Sequence, residues 1–222
     1  MVDAKMIVLA PVVADSSSNS LDYTLFRAVN GLAGRSAALD AVMIASAKYL
    51  PIVFALALVA LWLSWRPGNQ RGAFLAGASA LIALGLGQLI GMALPRPRPY
   101  LSHAVHQLIA PSLDTSFPSD HAILGFAVAV MVWKYNRRAG AALLVLATLM
   151  AIARVFVGAH YPGDVLGGAV LGTLTSVGLA ALSERPPMAR LLDAIFRILR
   201  RWRLAARINQ PGDLAQKPTK DY

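Results

Sequence analysis

The 222-residue chain contains no cysteine, which excludes disulfides and thiolate metal sites and leaves the redox compartment open. Charge is scarce: Asp, Glu, Lys and Arg make up 14% of the residues, against roughly 25% in an ordinary soluble domain. Acid is scarcer still, with 11 Asp and Glu facing 21 Lys and Arg. Apolar residues fill the gap, at 57% of the chain, and the mean hydropathy is +0.56. An excess of this size calls for lipid around the chain, not a larger core within it. Neither a soluble domain nor a long-period repeat is evident.

Five apolar stretches stand out. Ala41–Ser64 and Ala73–Leu94 are each long enough to cross about 30 Å of hydrocarbon as a helix. Gly140–Val157 and Val165–Ser183 are nearly as clear. A fifth, from about Pro118 to Trp133, spans only if its polar start belongs to the helix. Polar residues at the mouth of a span are costly and mark function. Leu21–Leu32 carries Leu21, Leu25, Phe26, Val29 and Leu32 at helical spacing, too short and polar to span, which predicts a helix lying on the membrane surface. Met188–Arg207 sets Leu191, Leu192, Ile195, Phe196, Leu199 and Trp202 on one side among arginines, the pattern of an amphipathic helix on an anionic inner leaflet. Gly85, Gly87, Gly91, Gly163, Gly167, Gly168 and Gly172 recur at the spacing of closely packed helices. The fold class expected is all-α: a polytopic transmembrane bundle of about five spans over residues 21–185, flanked by an N-terminal extension (1–20) and a basic helix and tail (186–222). In the extension, Lys5 and the run MIVLAPVVA make a poor signal peptide, and Pro11 makes this the lesser reading. The last dozen residues are expected to be disordered.

A net charge of +10 would suit nucleic acid, but its distribution argues for a bilayer as partner and against nucleic acid. The 65–72 connection carries Arg66 and Arg71, and the 134–138 connection carries Lys134, Arg137 and Arg138. With the tail from Glu184 onward, these segments hold 14 basic and 4 acidic residues, and everything else balances at seven against seven. The positive-inside rule makes them cytoplasmic, and Trp62, Trp65 and Trp133 lie at the same ends of their spans, as an interfacial belt would. Five crossings then leave the N-terminus, residues 95–117 and residues 158–163 on the outer face of the membrane.

The unusual polar residues gather on that face. Pro95-Arg96-Pro97-Arg98-Pro99-Tyr100 follows the second span, Ser116-Phe117-Pro118-Ser119-Asp120-His121 opens the third, and Arg154 and His160-Tyr161-Pro162-Gly163-Asp164 join the fourth to the fifth. Arg96, Arg98 and Arg154 offer permanently charged forks that match phosphate oxygens. Pro118 and Pro162 suit the first turn of a helix, whose free N–H groups bind anions, and Ser119 adds a hydroxyl. His121 and His160 titrate near neutral pH, so one can attack phosphorus while the other protonates a leaving oxygen. Asp164, four residues after His160, stands one helical turn away and can fix the imidazole tautomer. A lone Arg-Pro repeat is usually just a loop. The two histidines with Asp164 could instead bind a metal, but a zinc site wants three ligands and an open position, and the arginines repel a cation. His103 and His106 are expected to be solvated or on a helix surface. Three clusters on one face predict an anion-processing site.

These residues resemble the type 2 phosphatidic acid phosphatase superfamily, which shares its site with vanadium haloperoxidases. The family pattern has a lysine seven residues before an Arg-Pro pair, then Pro-Ser-Gly-His, then Ser-Arg followed by a histidine and an aspartate. Arg98-Pro99, Pro118-Ser119-Asp120-His121, and Arg154 with His160 and Asp164 match in order and spacing, over roughly residues 20–185. Three positions depart: Gly91 stands for the lysine, Asp120 for the glycine and Ala153 for the serine. The missing lysine and Asp120 look like the bacitracin-resistance branch, the undecaprenyl-diphosphate phosphatases, as do IGMALPRPRPY, SFPSDHA and RVFVGAHYPGDVLGG. The resemblance implies that His160 attacks the terminal phosphorus of a polyprenyl diphosphate, Asp164 orients it and His121 protonates the leaving group. Arg98, Ser119 and Arg154 would bind the phosphate, with Arg96 standing in for the lysine charge. Asp120 would compensate the helix dipole or help to bind the diphosphate. The alternatives are a phosphatase for phosphatidate, phosphatidylglycerophosphate or lipid A and, from a different class, a catalytically inactive lipid-binding or transport protein. No resident metal or cofactor is implied; a divalent ion carried by the diphosphate, and the oligomeric state, stay open.

Overall fold

Among the described residues, four helices are long and apolar enough to cross a membrane: α2 (Ala37–Leu63), α3 (Pro67–Ala93), α6 (Arg137–Phe156) and α7 (Pro162–Ser183). Between them lie α4 (Pro99–Ser102) and α5 (Asp120–Tyr135); α1 (Leu21–Asn30) precedes them and α8 (Pro186–Ile208) follows. These elements come from a computed structural model that describes residues 21–112 and 114–208, with side chains described to 198. The extension 1–20, the last dozen residues and the side chains of Leu199 and Trp202 lie outside the described residues. The described chain is all-helical, as its patterning predicts.

Boundaries differ where local chemistry overrides hydropathy. α2 begins at Ala37, before the apolar run, because the Ser36 side chain caps it by accepting from Leu39 N–H. α3 starts at Pro67, so the expected 65–72 connection shrinks and Arg71 rides on the helix. Asn136 alone separates α5 from α6: its own N–H closes α5 on Val132 O and its side chain caps α6 at Ala139 N–H. Lys134, Arg137 and Arg138 therefore sit on helix ends. Pro118 does not start α5; the helix begins at Asp120 with Ser119 as N-cap.

Packing divides the chain into two units, Met1–Leu179 and Ala180–Tyr222. In the first, α5 is central, contacting α3 and α6 most, with Ala122, Ile123, Ala127 and Ala129 fully buried. α7 reaches α5 through glycines, since a Cβ on Gly168 would stand 2.6 Å from Ser119 O and one on Gly172 would strike Ile123 O. Ser176 Oγ donates to Ala127 O at 2.6 Å and lies 2.6 Å from Ser79 Oγ, tying α7 to α5 and α3 inside the bundle. At about 1.5 Å per residue α5 spans only about 24 Å, so its polar start lies below the level at which a full crossing would end. The second unit holds the end of α7 and the strongly amphipathic α8.

Candidate active site

α3 and α6 finish, and α5 and α7 begin, at the same end of the bundle, opposite the α2–α3 and α5–α6 turns that carry the basic residues. There the α6–α7 turn delivers His160. Gly158 has φ +81°, a left-handed turn that glycine adopts without strain, and a Cβ there would come within 2.9 Å of His106 O. The amides of Ala159 and His160 both bond back to Arg154 O, at 3.0 and 3.3 Å, so Arg154 and His160 form one tight unit.

His160 is 2% exposed. Its Nδ1 donates to the Ser116 carbonyl at 2.9 Å, which leaves Nε2 as the lone-pair nitrogen. That nitrogen lies 3.4 Å from Arg98 Nη1 and 3.5 Å from Arg154 Nη2. Burial first, and then the Arg154 and Arg98 charges, push the imidazole pKa below its usual value of 6.5, against the opposing pull of Asp164. The ring is therefore neutral at physiological pH.

Arg98, Arg154, His160 and His121 line a cavity of 130 Å³, with Asp114, Asp120, Gln88 and Thr115 completing its wall. Arg98 is fixed by Ala159 O at 3.2 Å and by the Asp114 carboxylate at 2.8 Å. Burial alone would raise the Asp114 pKa, but the Ser112 hydroxyl and the Arg98 charge prevail and hold it below the usual carboxylate value. Two buried polar groups beside the cavity, Ser119 Oγ and Arg154 Nε, have no hydrogen-bond partner among the described residues. Gln88 donates to both oxygens of Asp120, at 3.0 and 3.2 Å. Paired guanidiniums, unengaged donors and a lone-pair nitrogen suit a bound anion under nucleophilic attack.

Other expected positions fall differently. Asp164 does not bond the His160 ring directly: Oδ2 is 3.8 Å from Nδ1 and accepts instead from the Ser116 hydroxyl and, at 2.8 Å, from Tyr161 N–H. Asp164 thus faces the His160 ring at ion-pair distance and is joined to it by way of Ser116 and the Tyr161 amide. Arg96, expected at the phosphate, bridges Asp164 at 2.7 Å and Asp22 at 2.6 Å and stacks on Tyr161, 4.1 Å from the ring centroid. Burial opposes its charge, yet Asp164 and Asp22 together hold its pKa above the ordinary arginine value. His103 is not solvated; it is buried, stacks on Tyr23 at 3.9 Å and lies 3.0 Å from the Tyr161 hydroxyl. At Gly91 a Cβ would stand 2.7 Å from Thr115 Cγ2, so loop packing fills the place of the family's lysine. Sequence reasoning missed Asp22, Asp114 and Gln88, which belong to no motif and are brought here only by the fold, and it gave Ser116 no role although it opens the SFPSDHA stretch.

The chain matches the family model described as the PAP2 superfamily over residues 72–186. It belongs to that superfamily, and it is a multi-pass membrane phosphatase of the PAP2 type. Over 199 residues it is 32% identical to the undecaprenyl-diphosphatase BcrC of Bacillus subtilis (strain 168), covering 90% of this chain and 98% of that one. In fold it is similar to the crystal structure of Aquifex aeolicus LpxE, with a TM-score of 0.60 and 24% identity, covering 71% of this chain and 93% of that chain. It is also similar to a transmembrane PAP2-type phosphatidylglycerolphosphate phosphatase from Bacillus subtilis, with a TM-score of 0.54 and 22% identity, covering 78% and 89%.

Proposed function

We propose that this protein removes the terminal phosphate from undecaprenyl diphosphate, giving undecaprenyl phosphate and inorganic phosphate and so recycling the lipid carrier of cell-wall synthesis. One observation carries the chemistry: the Nδ1–Ser116 hydrogen bond turns the lone pair of His160 Nε2 towards two guanidiniums at a cavity wall. His160 Nε2 attacks the terminal phosphorus, an N–P bond forms and the anhydride P–O bond breaks. His121 gives its proton to the departing oxygen of the lipid phosphate. Arg98, Arg154 and the Ser119 hydroxyl stabilise charge on the equatorial oxygens. Water, giving a proton back to His121, then cleaves the phosphohistidine and restores the neutral ring. Asp120, held by Gln88, lies on the cavity wall, where it can meet the second phosphate of the substrate.

The choice of lipid is supported by the BcrC relative, matched over nearly its whole length. Phosphate release by purified protein from undecaprenyl diphosphate, phosphatidate, phosphatidylglycerophosphate and lipid A tests it. Turnover of the polyprenyl diphosphate above the others is expected; inactivity on it, with hydrolysis of another, overturns the assignment. The basic turns support a site on the outer face. The chain has no cysteine of its own, so single cysteines can report on sidedness. An impermeant maleimide is expected to label Ala110→Cys in intact cells, and Gly68→Cys only after permeabilisation. The opposite pattern contradicts the orientation.

A further inference from the structure

The family match begins at residue 72, yet the His160 turn is held from outside that segment. Helix α1 lies across the turn and grips it at both flanks. At one flank, Asn30 Nδ2 donates to Phe156 O, the last residue of α6, and to His106 O, both at 2.8 Å. At the other, Asp22 Oδ1 accepts from Gly163 N–H at 2.8 Å, in the first turn of α7. The approach is close: a Cβ on Gly163 would stand 2.9 Å from Asp22 Oδ2. Phe26, between the two, is buried and packs 5.5 Å from the Tyr161 ring. Asp22 also begins a continuous relay. Its Oδ2 holds Arg96 at 2.6 Å, Arg96 holds Asp164 at 2.7 Å, Asp164 accepts from Ser116 Oγ, and the Ser116 carbonyl accepts from His160 Nδ1–H at 2.9 Å.

We propose that α1 is a clamp on the catalytic turn, with Asp22 and Asn30 as positioning residues that aim His160 at phosphorus. The inference rests on the reading of His160 as nucleophile. Asp22 is a partly exposed side chain near the surface, at 26%, and ion pairs of that kind add little to global stability. Aim is another matter, because a displacement of about 1 Å at a reacting group can lower rate by about a hundredfold. Loss of Asp22 should therefore spare the fold and slow the chemistry.

The test is single-turnover labelling of His160 from undecaprenyl diphosphate carrying a labelled terminal phosphate, run beside steady-state kinetics and thermal unfolding in detergent. Asp22→Ala is expected to slow phosphoryl transfer about 10- to 100-fold, with KM within about threefold of wild type and an unchanged unfolding midpoint. Asp22→Asn keeps an acceptor for Gly163 N–H and should fall between the two; it also serves if the alanine variant does not fold. In an Arg96→Ala background the relay is already cut and only the Gly163 grip is left to lose, so Asp22→Ala should cost less than it does in the wild type. A labelling rate within threefold of wild type for a folded Asp22→Ala overturns the clamp. So does a loss confined to KM, and a loss undiminished in the Arg96→Ala background overturns the relay arm, leaving the Gly163 contact as the whole of the clamp. His160→Ala in the same assay separates the two ideas: if it still turns over, the nucleophile assignment fails whatever Asp22 does.

Discussion

Replacing Asp164 by asparagine probes how the buried carboxylate serves the histidine. Asp164 is fully buried and meets three donors: Arg96 at Oδ1, with Ser116 Oγ and Tyr161 N–H at Oδ2. An asparagine can turn its oxygen to one side only, so its NH2 must face donors on the other. Losing a charge-assisted bond costs about 1.5–3 kcal/mol, and a buried N–H left unmet about 1–3 kcal/mol. The sum agrees with the roughly 3–5 kcal/mol for breaking a buried ion pair. Arg96 keeps Asp22 and the turn can relax, so about 3 kcal/mol should reach the transition state, a fall in kcat of about a hundredfold at 1.4 kcal/mol per factor of ten. The pH profile carries a sign as well. The Asp164 carboxylate raises the His160 pKa against burial and the arginines, so removing it moves the acid limb of kcat/KM to lower pH. Phosphate release measured from about pH 4.5 to 8 reads both. A kcat within threefold of wild type, or an acid limb that moves upward, refutes the relay through Ser116.

Three further outcomes follow from the same geometry. In the wild type, the limb set by His160 should lie below pH 6.5, because burial favours the neutral ring; a limb at or above that value contradicts the burial argument. Gly91→Ala puts a Cβ 2.7 Å from Thr115 Cγ2, and about 1–3 kcal/mol of overpacking should outweigh the roughly 1 kcal/mol gain in helix propensity. The unfolding midpoint should drop and Thr115→Ser should restore it; no drop would mean that the loop yields freely. Asp114→Asn removes a half-exposed negative charge from Arg98, worth about 0.5–1 kcal/mol, so inhibition by inorganic phosphate should strengthen about two- to fivefold. Weaker inhibition would show that Asp114 serves chiefly to hold Arg98.

The sequence made the spans and the catalytic set legible for separate reasons. α2, α3, α6 and α7 announce themselves by apolar length, and Arg98, His121, Arg154 and His160 by motif spacing. Their meeting at one cavity follows from helix order alone, since two helices end where two begin. What stayed hidden was whatever the motifs do not contain. Arg96 reads as a phosphate ligand until Asp22, 74 residues earlier, is seen to claim it. Asp164 reads as a direct partner of His160 because one helical turn separates them, but His160 precedes α7, and the non-helical backbone turns its Nδ1 to Ser116. Gly91 reads as a lost cation until Thr115 is found in its place.

The central claim is a phosphoryl group carried on His160. An N–P bond is labile in acid, so the reaction should be stopped in alkaline denaturant after milliseconds of turnover with terminally labelled undecaprenyl diphosphate, then digested and mapped by mass spectrometry. The account expects one labelled peptide, with the phosphate on His160, appearing and decaying at rates that match turnover. Turnover with no label on the protein, or with the label on His121, contradicts it.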